Sequence, residues 1–180
     1  MNNTNPFIYS DDNKRYHTLN YYNKSSFNSK VFKAVIDAGF TCPNKDGTKG
    51  TGGCIYCMGG SGYFTEKSDG EIYDSVKRQL AAEKERIYKK HPDSLITAYF
   101  QANTNTYAPV ATLKEAYTAA LDFGVHGISI GTRADCLPDD VIALLCDINS
   151  KTRLTVELGL QTIHDKSAQI INRCYTYDEF

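Results

Sequence analysis

The sequence predicts an α/β fold built on a parallel sheet. After residue 30, short apolar and β-branched runs alternate with amphipathic stretches four times over, the pattern of strand–helix units. The runs are continuously apolar, as in strands covered by helices. At 180 residues, 41% of them hydrophobic, the chain is long enough for one domain with its own core.

Residues 1 to 30 are rich in Asn, Tyr, Ser and Lys without periodicity and are expected to form an extended N-terminal arm, with the core running from 31 to 180. VFKAVIDA (31–38) suits a first strand, although its two alanines weaken it. A glycine-rich loop follows, from Gly39 to about Phe64. In the next stretch Ile72, Val76, Leu80 and Ile87 recur at helical spacing. Ser68 or Asp69 is the expected cap, and Pro92 stands beyond the end. SLITAYFQA (94–102) is a second strand. Leu113, Ala116, Tyr117, Ala120 and Leu121 share a helix face that Gly124 terminates. GISIG (127–131) is a third strand, Pro138 opens a helix carrying Val141, Leu144, Leu145 and Ile148, RLTVELGLQ (153–161) is a fourth strand, and residues 165 to 173 begin a fourth helix. In a parallel sheet the loops after the strands gather at one end, where sites form. The glycine-rich loop, NTNTYAP, TRADC and QTIHD should therefore meet.

The formal net charge of −1 gives no global pull toward nucleic acid or membrane. No apolar run has the length of a membrane span, and MNNTNPFIYS lacks a signal-peptide pattern, so a cytoplasmic protein without membrane partners is expected. Six cysteines in a reducing compartment read as thiols or ligands. Cys136, Cys146 and Cys174 have no partner at ligand spacing and read as small buried hydrophobes.

Cys42, Cys54 and Cys57 form a C-x11-C-x2-C pattern inside CPNKDGTKGTGGCIYC. A structural zinc site would be one ligand short unless His17, His91, His126 or His164 completes it. A Cys54–Cys57 redox pair leaves Cys42 without a role. A [4Fe–4S] cluster held by three cysteines keeps one iron open to a small molecule. Gly47, Gly50, Gly52 and Gly53 would let backbone amides approach such a cluster.

Five blocks in order, DAGFTCPNKDGTKGTGGCIYC, AYFQANTNTYAP, GISIGTRADCLPDDV, ELGLQTIHD and INR, span residues 37 to 173. With them the chain resembles the radical S-adenosylmethionine (SAM) superfamily, and within it a bacterial family related to the catalytic subunit of the Elongator complex. The resemblance implies a partial (β/α) barrel of radical SAM type and a [4Fe–4S] cluster on Cys42, Cys54 and Cys57. The amino and carboxylate groups of SAM would bind the open iron. Reduction by a flavodoxin or ferredoxin would cleave SAM to methionine and a 5′-deoxyadenosyl radical that takes hydrogen from substrate.

By the same resemblance Tyr56 lies beside the adenine. Gln101 and Asn103 stand where the superfamily's Gly-Gly-Glu motif meets the methionine amino group, a motif this sequence lacks. Arg133 is a candidate for the SAM carboxylate or a substrate anion, or pairs with Asp135. Glu157 and Gln161 lie where the superfamily often places ribose contacts, and because a charge in an apolar strand needs a partner, Glu157 is a site residue or one half of a structural salt bridge. Kinship to the Elongator subunit makes tRNA modification the substrate expectation, to which Lys14, Arg15, Lys24 and Lys30 of the arm could contribute charge.

Two departures stand out. A superfamily barrel has six strand–helix units where this chain reads as four, so a C-terminally truncated member is expected. Cys174 follows Asn172-Arg173 where the family usually has glycine. The alternative function is a non-catalytic iron–sulfur or zinc-binding protein derived from such an enzyme.

Overall fold

The computed structural model describes residues 14–57, 60, 65, 66 and 68–180. The first part of the expected arm and the end of the glycine-rich loop lie outside the described residues. The elements are α1 (Leu19–Phe27), β1 (Val31–Ile36), α2 (Ile72–Tyr88), β2 (Leu95–Phe100), α3 (Val110–Phe123), β3 (Gly127–Thr132), a 3-10 turn (Ala134–Cys136), α4 (Asp139–Lys151), β4 (Arg153–Leu158) and α5 (Asp165–Ile170). All strand pairs are parallel and the sheet order is β1-β2-β3-β4. The four strand–helix units of the sequence are therefore present, as an α/β sheet of partial-barrel type.

The strands differ from expectation in one respect. Only β3 is buried on both faces; the second face of β1, β2 and β4 is partly exposed. Phe32, Ala34 and Ile36, then Ile96, Ala98 and Phe100, then Ile128 and Ile130, then Leu154 and Val156, all join one apolar core with residues of α2, α3 and α4. Successive side chains of a strand point to opposite faces. The opposite face therefore carries Lys33, Thr97, Tyr99, Ser129, Thr155 and Glu157. Val31, Val35 and Leu95 share this second face, so it is mixed and the runs read as continuously apolar in sequence.

That second face is concave. Lys33 of β1 forms an ion pair with Glu157 of β4, although these are the two edge strands. Strands about 4.8 Å apart would put the edges of a flat sheet about 14 Å from each other. The pair closes because the sheet curls toward a barrel. Ser129 Oγ (3.0 Å) and Tyr99 OH (3.1 Å) also donate to the Glu157 carboxylate.

The arm is not extended throughout. Thr18 Oγ1 accepts from Tyr21 N at 3.0 Å and caps α1, which ends on Asn28 in the left-handed conformation (φ 50°). The helix sits at the N-terminal ends of the strands, with the Arg153 guanidinium over the Tyr22 and Phe27 rings and Phe27 edge-on to His126 at 4.4 Å. Helix α2 starts later than the Ser68 or Asp69 cap implies. Its N-cap is Glu71, whose side chain makes no capping bond, while Asp69 pairs with Arg78. Ala116, Ala119 and Ala120 of α3 are fully buried, and Tyr117 stands edge-on to Phe100 at 5.2 Å. Among the described residues no helix is long and apolar enough to cross a membrane.

Candidate metal and cofactor site

The three cysteines reach a common place because the glycine-rich loop folds back on itself. Lys45 N and Asp46 N return to the Cys42 carbonyl, Gly53 N bonds Asn44 O at 2.8 Å, and Cys57 N bonds Cys54 O at 2.8 Å. Cys42, Cys54 and Cys57 then line one cavity of about 150 Å³. Its wall also includes Tyr56, Asn103, Thr104, Thr132, Arg133, Gly159, Gln161, Arg173 and Tyr175. These residues come from the loops after all four strands, so the convergence expected from the parallel topology holds.

Most of the expected cofactor residues are at this cavity. Tyr56 lies on its rim, half exposed, and burial together with a hydrogen bond to Cys54 pushes its phenol well above the usual range. Asn103 donates to Phe40 O at 2.7 Å and accepts from Lys45 Nζ at 2.6 Å, which fixes it against the cysteine loop. Gln161 lies against Gly159, where a Cβ would come within 2.7 Å of Gln161 Nε2. Both Asn103 (φ 60°) and Gln161 (φ 67°) adopt left-handed backbone, a conformation that concentrates at functional sites.

Arg133 is buried and bonds Asp135 through Nε and Nη2, both at 2.8 Å. The Arg133–Asp135 pair weighed as a surface pair is thus real but internal. Its Nη1 donates to Arg173 O at 3.0 Å, and the guanidinium lies over the Tyr175 ring. Burial opposes its charge, yet the bonds to Asp135 and the nearby Cys42 raise its pKa further. Asp135 also pairs with Lys49, and these cations hold its carboxyl below the usual range although burial works the other way.

Two expected residues are not brought to the cavity. Gln101, after β2, is absent from its lining, and so is Glu157. Glu157 lies one strand repeat below Gly159 and lines a separate cavity over α1, with Lys33, Ser129 and Arg153. Its carboxyl is held below the usual range by Lys33, Ser129 and Tyr99 against a burial effect of opposite sign. The partner that a charge in this strand needs is a lysine of the same chain.

The sequence reading missed Asn44, Thr104, Arg173 and Tyr175. Nothing in cysteine spacing marks them, although Asn44 sits two residues after Cys42 and Arg173 ends the INR block. Arg173 is 1% exposed and reaches three carbonyls: Tyr175 O through Nε, and Leu160 O and Thr162 O through Nη1. Of the other three cysteines, Cys136 meets the expectation of burial, and Cys146 and Cys174 do not. Cys136 is buried, and burial pushes its thiol up to about 12. Cys146 is exposed and Cys174 is half-buried, so neither is a core residue. Cys174 has φ 62°, which explains why glycine would suit that position.

Among the described residues no three His, Cys, Asp or Glu side chains converge on the point one metal ion would occupy. A cluster of irons and sulfides is a larger body with its ligands at separate corners, usually four thiolates, and three thiols around a small cavity could hold one with a corner to spare. A cavity of about 860 Å³ lies elsewhere, between the starts of α3 and α4, with a mainly apolar lining that includes Tyr107, Pro109, Leu137 and Val141. It holds Cys136 but none of the three loop thiols, so the chemistry points to the smaller cavity.

What these features define is a parallel α/β sheet with a three-thiol pocket at the C-terminal ends of its strands. No protein-family model matches the chain. It is similar to the uncharacterized protein YtqA of Bacillus subtilis (strain 168), 48% identical over 180 residues that cover 99% of this chain and 55% of that one. It is also similar to protein YhcC of Escherichia coli (strain K12), 38% identical over 153 residues covering 84% and 47%. A third relative, the uncharacterized protein MJ0486 of Methanocaldococcus jannaschii, is 35% identical over 159 residues covering 84% and 46%. The chain spans about half the length of the curated relatives it matches.

Proposed function

We propose that this chain forms the cofactor-binding part of a radical SAM enzyme. The observation that carries the reading is the shared cavity of Cys42, Cys54 and Cys57 at the rim of a curled parallel sheet. Three thiolates would hold a [4Fe–4S] cluster there and leave one iron without a protein ligand. When bound and reduced, such a cluster supplies the electron that cleaves SAM to methionine and a 5′-deoxyadenosyl radical.

The chain's own residues support the assignment by what they can bind and exclude. Tyr56 presents an aromatic face at the rim for adenine. Gln161 on the cavity wall supplies an amide for the polar parts of SAM, and Asn103, bonded to Phe40 O and Lys45 Nζ, orders the cysteine loop beside it. Arg133 has its donors engaged by Asp135 and Arg173 O, so in this reading it orders the loop after β3 and contributes its charge at a distance. Cys42 is buried, which shields one corner of the site from water. The cavity is smaller than the roughly 300–1,000 Å³ of clefts that enclose drug-sized ligands. It suits the compact cluster, and SAM would extend from it over the concave face. A flavodoxin or ferredoxin as electron donor, and a tRNA as substrate, belong to the same proposal on the strength of the sequence resemblance.

The test is anaerobic reconstitution with iron and sulfide, followed by SAM and dithionite. The reading expects a brown protein that releases 5′-deoxyadenosine, and a Cys54→Ala variant that does neither. A colourless wild-type protein that instead retains zinc supports the non-catalytic alternative and overturns the proposal.

A further inference from the structure

Beside the three thiols is a buried amide that faces one way only. Asn44 is fully buried. Its Nδ2 lies 2.7 Å from Asn172 O, 3.0 Å from Arg173 O and 3.5 Å from Cys54 Sγ. Its Oδ1 is buried and has no hydrogen-bond partner among the described residues. The acceptors bonded to this side chain, two carbonyls and a sulfur, all lie at its Nδ2. Flipping the amide would set an oxygen against two carbonyls and a sulfur, so the orientation is determined by its surroundings.

The position of Asn172 sharpens the point. Its carbonyl accepts from the Cys54 thiol at 3.4 Å, and its own side-chain amide donates to Thr51 O and to Gly53 O. The Asn44 amide nitrogen is bonded to that same carbonyl and lies within hydrogen-bond reach of the Cys54 sulfur. Hydrogen bonds to cluster sulfurs stabilise the more negative, reduced state and so raise the reduction potential.

We propose that Asn44 is a potential-setting residue whose amide N–H bonds the Cys54 sulfur of the bound cluster. This rests on the cluster reading above. Asn44 is a positioning and tuning residue, acting through Cys54. Asn172, in contrast, holds the loop through Thr51 and Gly53.

The experiment compares wild type, Asn44→Ala and Asn172→Gly after anaerobic reconstitution. Glycine retains the left-handed backbone of Asn172 (φ 56°) while removing its side chain. The reduction potential of each is read by redox titration of the visible and EPR signals, with iron content measured in parallel. The expected result is a lower potential in Asn44→Ala and an unchanged one in Asn172→Gly. Equal potentials in all three, or equal shifts in both variants, overturn the proposal. So does an Asn44→Ala chain that folds but takes up no iron, because Asn44 would then only shape the loop. Wild-type protein labelled with ¹⁵N-asparagine makes the test independent of any variant's folding. Pulsed EPR of its reduced cluster should detect a ¹⁵N coupling from the amide, and no coupling overturns the inference. A wild-type protein that binds no cluster at all fails the parent reading instead, and the two failures are thereby distinguished.

Discussion

Lys33 and Glu157 join the two edge strands of the sheet across its concave face, with Lys33 Nζ also 3.9 Å above the Tyr99 ring. This one relationship reports the curl of the sheet and pairs Glu157 with Lys33 outside the three-thiol cavity. It also identifies what stabilises a charged residue in an otherwise apolar strand. Both side chains are more than a third exposed, so solvent screening keeps the ion pair itself weak.

Glu157→Gln should therefore cost about 1 kcal/mol at neutral pH, from the screened pair and its charge-assisted bonds to Ser129 and Tyr99. The pH dependence has a definite sign. The Glu157 carboxyl sits below its ordinary 4.5 in the folded state. Its contribution is present above pH 4.5 and fades as pH falls from there through the folded value. Urea titrations at pH 7 and pH 4 check this: the gap between wild type and variant should narrow at the lower pH.

Asp135→Asn should be more harmful. It leaves Arg133, whose side chain is 10% exposed, without its bidentate partner and frees Lys49. Breaking one side of a buried pair costs about 3–5 kcal/mol, and a shift in the midpoint of urea denaturation would report it. Asp135 is also held below its ordinary 3.8, so its contribution is lost only under acid conditions below that value.

Gly127→Ala tests the close approach of β3 and β4. A Cβ there would come within 2.8 Å of the Arg153 carbonyl, which is backbone and cannot rotate away. Overpacking of this type costs about 1–3 kcal/mol. Thermal unfolding should show the loss, and Gly159→Ala should show less, because its obstacle is the flexible end of Gln161.

Phe100→Ala removes a fully buried ring that packs edge-on against Tyr117. A loss of about 3–5 kcal/mol is expected for a buried aromatic. Equilibrium denaturation would check it, and a change below about 1 kcal/mol would mean that the core under β2 can collapse.

The strands and helices α2, α3 and α4 were legible because their apolar residues recur at the periods that parallel strands and amphipathic helices impose, and the start of α5 at Asp165 was legible as well. Their ends were less legible at the site. The first, second and fourth strands stop at Ile36, Phe100 and Leu158, earlier than their apolar runs suggest. Beyond the last two, Ala102, Asn103 and Gln161 take left-handed backbone to enter the cavity region. Helix α1 was hidden because its one buried residue is Asn23, so no apolar stripe announces it. Of the site, the cysteines were visible by type and spacing. Asn44 and Arg173 were not, since their importance lies in backbone carbonyls that the fold delivers from far along the chain.

The central claim is that Cys42, Cys54 and Cys57 hold a [4Fe–4S] cluster with one open iron. Its most direct test is EPR of the anaerobically reconstituted, dithionite-reduced protein with and without SAM, alongside metal analysis. The account predicts about four irons per chain, a reduced-cluster signal that changes shape when SAM is added, and loss of both in Cys42→Ala, Cys54→Ala and Cys57→Ala. A stoichiometric zinc ion, or an iron signal indifferent to SAM and to all three substitutions, would contradict it.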